Sequence, residues 1–247
     1  MDIPISQIKP IYHPHHPSTS TSTPNTLIRT LTLHPHPEGG YYTETDRNPH
    51  NIRPPPSNRP EPEPTISTTA TTIADEPSLR AASSTIFYLL TPTAPLGVFH
   101  RHQGRTIHTL HRGRGRYVII HADEATCSHE GSEEFELGKG TGTGKAKARL
   151  ESFVVGPDVA RGERLQWVVG AGKYKASYLL PDGETSSNGD LEGGGGEEEG
   201  LLISEVVVPG FELMDLEFLT KDKMEELLTT EQVRELSWML KVPEGEE

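Results

Sequence analysis

Residues 97–120 read GVFHRHQGRTIHTLHRGRGRYVII. Three runs rich in Val, Ile, Phe, Thr and His are separated by two Gly-containing turns. β-branched and aromatic residues suit the pleated strand, and Gly punctuates it, so the stretch predicts three consecutive strands. The same grammar recurs in SSTIFYLLT (83–91), ARLESFVVG (148–156), GERLQWVVGAGKYKASYLLP (162–181) and LLISEVVVPGFEL (201–213). A further strand starts at Tyr41, after a Pro and Gly turn. NTLIRTLTL (25–33) reads as a short helix leading into that turn. No strand–helix–strand alternation appears, which excludes a parallel α/β sheet and leaves a β-sandwich or barrel. MEELLTTEQVRELSWML (224–240) alone carries sustained helical spacing and predicts one late helix, with Thr230 capping its second half.

Only 32% of the 247 residues are hydrophobic, so one core cannot use the whole chain. The expected organisation is a disordered tail (1–25), a single domain (26–220), and a C-terminal helix and tail (221–247). Flexible insertions are expected at about 48–80, 123–147 and 182–200, where Pro, Thr, Gly or Glu dominate. The GKGTGTGKAKA run is not a phosphate loop, because Lys145 is followed by Ala146 rather than Ser or Thr. A net charge of -13 without a long basic patch argues against nucleic acid as a partner. Arg112, Arg114 and Arg116 read as a solvated turn. The single cysteine, Cys127, excludes an intrachain disulfide and a Cys-based zinc site, and no cation beside it marks a nucleophile. Neither a signal peptide nor a membrane span is evident, so a soluble, cytoplasmic protein is expected.

Four histidines fall within twelve residues: His100, His102, His108 and His111. Strand alternation puts His100 with His102 on one face, and Thr106, His108 and Leu110 together on another strand's face. His111 then points away. A β-barrel carrying such a strand resembles a cupin, and the cupin metal motifs can be laid on these residues. HxH is present as His100 and His102, but the glutamate position holds Thr106. The second motif's histidine position holds Lys175. A divalent ion wants three or four N or O ligands, one of them often anionic. Here an ammonium stands where the cation would sit, so no metal ligands are expected.

HPHPEGGYYTETDR, SSTIFYLL, FHR, LQWVVGAGKYKASYLLP and LISEVVVPGFEL occur in order, and together resemble the small cupin family long catalogued as a domain of unknown function. The fungal branch is the best match. The resemblance covers roughly 26–122 and 149–219. It implies an all-β chain folded as a double-stranded β-helix, the cupin jelly roll, with a C-terminal helix and long disordered loops. It also implies a homodimer, and a barrel similar to dTDP-sugar epimerases of the RmlC type.

Cupin barrels present inward side chains to a small ligand. The expected catalytic set is His100, His108 and Lys175. The expected ligand-binding set is Glu38, Tyr42, His102, Thr106, Gln166 and Trp167. A histidine could take a proton α to a carbonyl while Lys175 stabilises the developing enolate. The function expected is binding of a small polar or anionic metabolite, sugar-like or carbonyl-bearing, without a cofactor, with epimerase or isomerase chemistry as an extension. Two alternatives stay open. One is a metal-dependent oxygenase or decarboxylase using Fe, Mn, Ni or Zn; the other is a non-catalytic dimeric scaffold.

Overall fold

A computed structural model describes residues 3–12, 22–53, 79–125, 147–181 and 200–242. The HPHHP tail, most of the three expected insertions, the Gly- and Lys-rich run up to Ala146, and Cys127 lie outside the described residues. In chain order the strands are β1 (His34–Pro35), β2 (Tyr41–Arg47), β3 (Asn51–Ile52), β4 (Arg80–Ala81), β5 (Ser84–Leu90), β6 (Leu96–Arg101) and β7 (Arg105–Arg112). They continue as β8 (Gly115–His121), β9 (Arg149–Val155), β10 (Gln166–Val169), β11 (Tyr174–Leu179), β12 (Leu201–Val208) and β13 (Glu217–Phe218). The helices are α1 (Ser22–Thr30), α2 (Ala122–Ala125), α3 (Lys221–Leu227) and α4 (Thr230–Leu236).

Two antiparallel sheets face each other. One runs β1-β2-β5-β12-β7-β10 and the other β13-β6-β11-β8-β9. Between them lies an aromatic and aliphatic core that includes Tyr117, Ile119, Phe153, Trp167, Leu201 and Ile203. The five-stranded sheet is buried on both faces. Along β11, Tyr174, Ala176 and Tyr178 turn outward onto a second core, and Lys175 and Leu179 turn inward. That second core is closed by Met224, Leu227, Val233 and Leu236 of α3 and α4, together with Ile8. The six-stranded sheet is covered only in part. Leu27, Ile28 and Leu31, on and just after α1, pack on Leu89 and Leu202, while Val168 and Val208 stay exposed on the same outer face.

The late helix differs from the expected single one. It breaks at Leu228 into α3 and α4, and the cap is Thr229, not Thr230. Thr229 accepts from the Gln232 backbone while Gln232 caps back, a complete capping box. Two adjacent threonines made the choice ambiguous by sequence. The RGRGR run also departs from a solvated turn: Arg116 is 6% exposed and donates to Ser152 Oγ at 2.9 Å, while Arg114 donates to Glu163 at 2.7 Å.

The PEGG turn is set by close backbone approach. Gly39 has φ +102°, and a Cβ there would lie 2.1 Å from the Leu96 carbonyl oxygen, so only glycine fits. The Val98 N–H donates to the Glu38 carbonyl at 2.8 Å, and Tyr88 Oη donates to the Gly39 carbonyl at 2.9 Å. These bonds hold Glu38 against β6.

Candidate functional site

One end of the barrel interior is polar and ionised. Residue by residue, β6 supplies His100, the residue just past its end is His102, β7 supplies Thr106 and His108, β11 supplies Lys175 and β12 supplies Glu205. The β6–β11 register pairs His100 with Lys175, and the β7–β12 register pairs His108 with Glu205. Glu38 enters from the PEGG turn.

Two ion pairs organise this end. His100 donates from Nδ1 to the Val98 carbonyl at 2.8 Å and from Nε2 to Glu38 Oε2 at 2.6 Å. Both ring nitrogens face acceptors, Nδ1 a carbonyl and Nε2 a carboxylate. Burial would raise the Glu38 carboxyl, but its interaction and hydrogen bond with His100 outweigh it and hold it at about 2. Lys175 Nζ donates to Glu205 Oε2 at 2.6 Å and to His108 Nε2 at 3.0 Å. Burial likewise works against ionised Glu205, and the Lys175 charge overrides it and holds the carboxyl well below its ordinary range. Glu38, His100, Lys175 and Glu205 are all at most 6% exposed.

Burial works against the charged form of three neighbouring histidines. Burial, reinforced by Lys175, lowers His102 to about 3 and also lowers His108; burial lowers His36 as well. His102 Nε2 sits 3.0 Å from Thr106 Oγ1. His108 stacks on Trp167 with ring centroids 4.9 Å apart. His36 meets Tyr42 edge-on at 4.5 Å.

Most of the expected site residues therefore gather in one barrel end: Glu38, Tyr42, His100, His102, Thr106, His108, Trp167 and Lys175. Gln166 does not. It is exposed on the outer face and donates to Thr109 Oγ1 at 3.2 Å. Its neighbour Trp167 takes the inward position, and alternation turns Gln166 out. Gln166 and Lys175 also fail to share a sheet: the GAG turn carries the chain from the six-stranded sheet across to the five-stranded one. His111 is exposed, against Phe87, as its parity predicts. Two site residues escaped sequence reasoning, His36 and Glu205. Glu205 had a visible signal, a single carboxylate inside the apolar run LLISEVVV at the parity of inward Ile203. His36 lay in a segment that reads as a turn.

A narrow cleft reaches this end, lined by Arg101, His102, Thr106, Val169, Lys173 and Lys175 among others, with about 160 Å³ of space including its open mouth. That space is open to solvent and encloses no room for a ligand, so side chains must shift to admit one. The donor set does not fit a divalent ion. His100 has both nitrogens engaged by acceptors, His108 Nε2 is taken by Lys175, and an ammonium stands between the two walls. Among the described residues, no three His, Cys, Asp or Glu side chains converge for a metal.

Residues 25–219 match the family described as Cupin superfamily (DUF985). An uncharacterized protein of Saccharomyces cerevisiae, YML079W, is 36% identical over 214 residues, covering 86% of this chain and 84% of the yeast protein. A hypothetical protein from Leishmania major is 25% identical with a TM-score of 0.60, covering 90% of this chain and all of that structure. Protein SO0799 from Shewanella oneidensis shares the fold at 20% identity and a TM-score of 0.54, over 92% of this chain and all of that structure. No helix among the described residues is long and apolar enough to cross a membrane. With two facing antiparallel sheets, a polar barrel end and a family match over most of its length, the chain belongs to the cupin superfamily, in its DUF985 family.

Proposed function

We propose that this chain is a metal-independent cupin that binds a small anionic metabolite at the polar end of its barrel. The observation that carries the reading is Lys175, a buried ammonium lining a cleft too small for a large ligand and placed where a metal-binding cupin has a ligand. Lys173 and Arg101 stand at the same mouth, each paired with a carboxylate, Asp123 and Glu217. A thermal-shift panel of short carboxylates, phosphate and neutral analogues tests it. Anions should raise the melting temperature and be recovered unchanged; a ligand at ~100 times its Kd adds about 2.7 kcal/mol. A panel in which only neutral compounds stabilise the protein, or stoichiometric Fe, Mn, Ni or Zn in untagged protein, would sink it.

A second reading is proton transfer on the same ligand, as in an epimerase or isomerase. His100, between a carbonyl and the Glu38 carboxylate, and His108, which burial pushes toward the neutral form, sit in unlike environments in one barrel end, the kind of divergence that separates acid from base. Against it, the imidazole nitrogens that could take a proton are engaged: His102 Nε2 by Thr106 and His108 Nε2 by Lys175. Incorporation of solvent deuterium into short keto acids would favour this reading, and none in folded protein would remove it.

The expected homodimer belongs here too. Val168, Ile107 and Val206 lie side by side across β10, β7 and β12, on the face opposite Trp167, His108 and Glu205. Such a row suits a second copy of the chain, and sedimentation at micromolar concentration checks it.

A further inference from the structure

Two hydrogen-bonding groups at the cleft are incompletely used. An ammonium has three hydrogens. Lys175 places two of them, on Glu205 and His108, and the third has no partner among the described residues. The second group is His102, 9% exposed, whose buried Nδ1 has no hydrogen-bond partner. Buried polar atoms without partners are uncommon in native proteins, and each calls for an explanation.

Thr106 decides what that nitrogen offers. The Thr106 hydroxyl sits 3.0 Å from His102 Nε2. If the hydroxyl donates, Nε2 accepts, and the neutral ring carries its hydrogen on Nδ1. One donor is then left over. If instead Nε2–H donates, the hydroxyl hydrogen and the Nδ1 lone pair are both stranded. The first arrangement leaves fewer buried groups unmatched. It gives His102, which lines the cleft together with Lys175, an unpartnered Nδ1–H. His102 is further held by its carbonyl, which accepts from the Gly172 N–H at 3.2 Å. Ring, hydroxyl and ammonium thus come from three strands or strand ends that the backbone already fixes.

We propose that His102 Nδ1–H and the third Lys175 N–H form a two-donor subsite for a carboxylate, with Thr106 as the positioning residue that selects the His102 tautomer. This rests on the anion-binding reading above and names its ligand class, a short-chain carboxylate. Both side chains line the same cleft, and two donors suit the two oxygens of a carboxylate, for which the lining side chains must open because the cleft encloses no room of its own. The residue that departs from the cupin metal motif then has a use of its own: its hydroxyl turns a would-be metal ligand into a hydrogen-bond donor.

The test uses the full chain labelled with ¹⁵N. Two-bond ¹⁵N–¹H spectra report which His102 nitrogen carries the hydrogen, and titrations use acetate and its uncharged analogue acetamide. The proposal expects the Nδ1–H tautomer in the free protein, acetate shifting the His102 and Lys175 side-chain signals, and acetamide binding at least tenfold more weakly. Thr106→Val should lose the tautomer preference and weaken acetate at least fivefold, and Thr106→Ser should restore both. Should Thr106→Val fail to fold, the wild-type tautomer and the acetate-to-acetamide ratio decide alone. An Nε2–H ring, equal binding of acetate and acetamide, or Thr106→Val binding acetate as well as wild type would overturn it. An Nε2–H ring with other anions still bound removes only this subsite. No anion bound at all removes the parent reading as well.

Discussion

The barrel interior has two halves built from the same strands. One half is Tyr117, Ile119, Phe153, Leu201 and Ile203; the other is Glu38, His100, Lys175 and Glu205, and Trp167, stacked on His108, stands where they meet. Both obey strand alternation and both are buried. The difference lies in what holds them. The apolar half gains from each side chain nearly independently, through area removed from water. The ionised half is stable only as a balanced set, because each charge there is tolerable only while its partner is present.

Breaking that balance should produce the largest effect. Lys175→Met leaves Glu205 uncompensated and should destabilise the fold by about 3–5 kcal/mol in urea denaturation, whereas Lys175→Met with Glu205→Leu should recover most of the loss. Equal losses in the single and double variants would show that the two halves do not differ in kind. Acid should separate the halves next. His102 is held at about 3 against an ordinary 6.5, so the unfolded chain takes up its proton first as pH falls. Stability present above pH 6.5 should fall by about 1.4 kcal/mol per unit between 6.5 and 3 for this residue. Glu38, at about 2 against 4.5, adds a loss of the same sign between 4.5 and 2. Denaturation midpoints measured from pH 7 to 4 check the slope, which variants in the apolar half should leave unchanged. Ile203→Val in that half should cost only about 0.5–1.5 kcal/mol with no change in pH dependence. Gln166→Ala, on the exposed outer face, should stay within about 0.5 kcal/mol of wild type and leave ligand binding intact.

The sequence made the apolar half plain and the ionised half only partly so. Short β-branched runs between Gly turns point to strands, and parity within each run points to faces; His100, His102, Thr106 and His108 followed from those two facts. What parity cannot supply is which sheet a strand joins. Gln166 and Lys175 flank one tight turn, yet the turn crosses between sheets, so proximity in sequence misled. Glu205 was missed because a strand so apolar reads as core, although one carboxylate amid such residues needs a buried cation to sit opposite. His36 could not be found at all from local pattern, since its place depends on how the PEGG turn folds onto β6. The late helix shows the same limit: its amphipathic spacing was legible, but not the break between two threonines.

The five-stranded sheet is buried on both sides, and this has a practical consequence. The chain's two tryptophans fall on opposite sides of it: Trp167 stacks on His108 inside the barrel, and Trp238 packs on Tyr178 outside. Fluorescence of a Trp238→Phe variant would therefore come from within the barrel, beside Lys175 and His108. Fluorescence of a Trp167→Phe variant would come from the helical cover alone. The molecule thus carries two optical probes, one on each side of a single wall, with which to time whether the interior responds to a ligand before the exterior does.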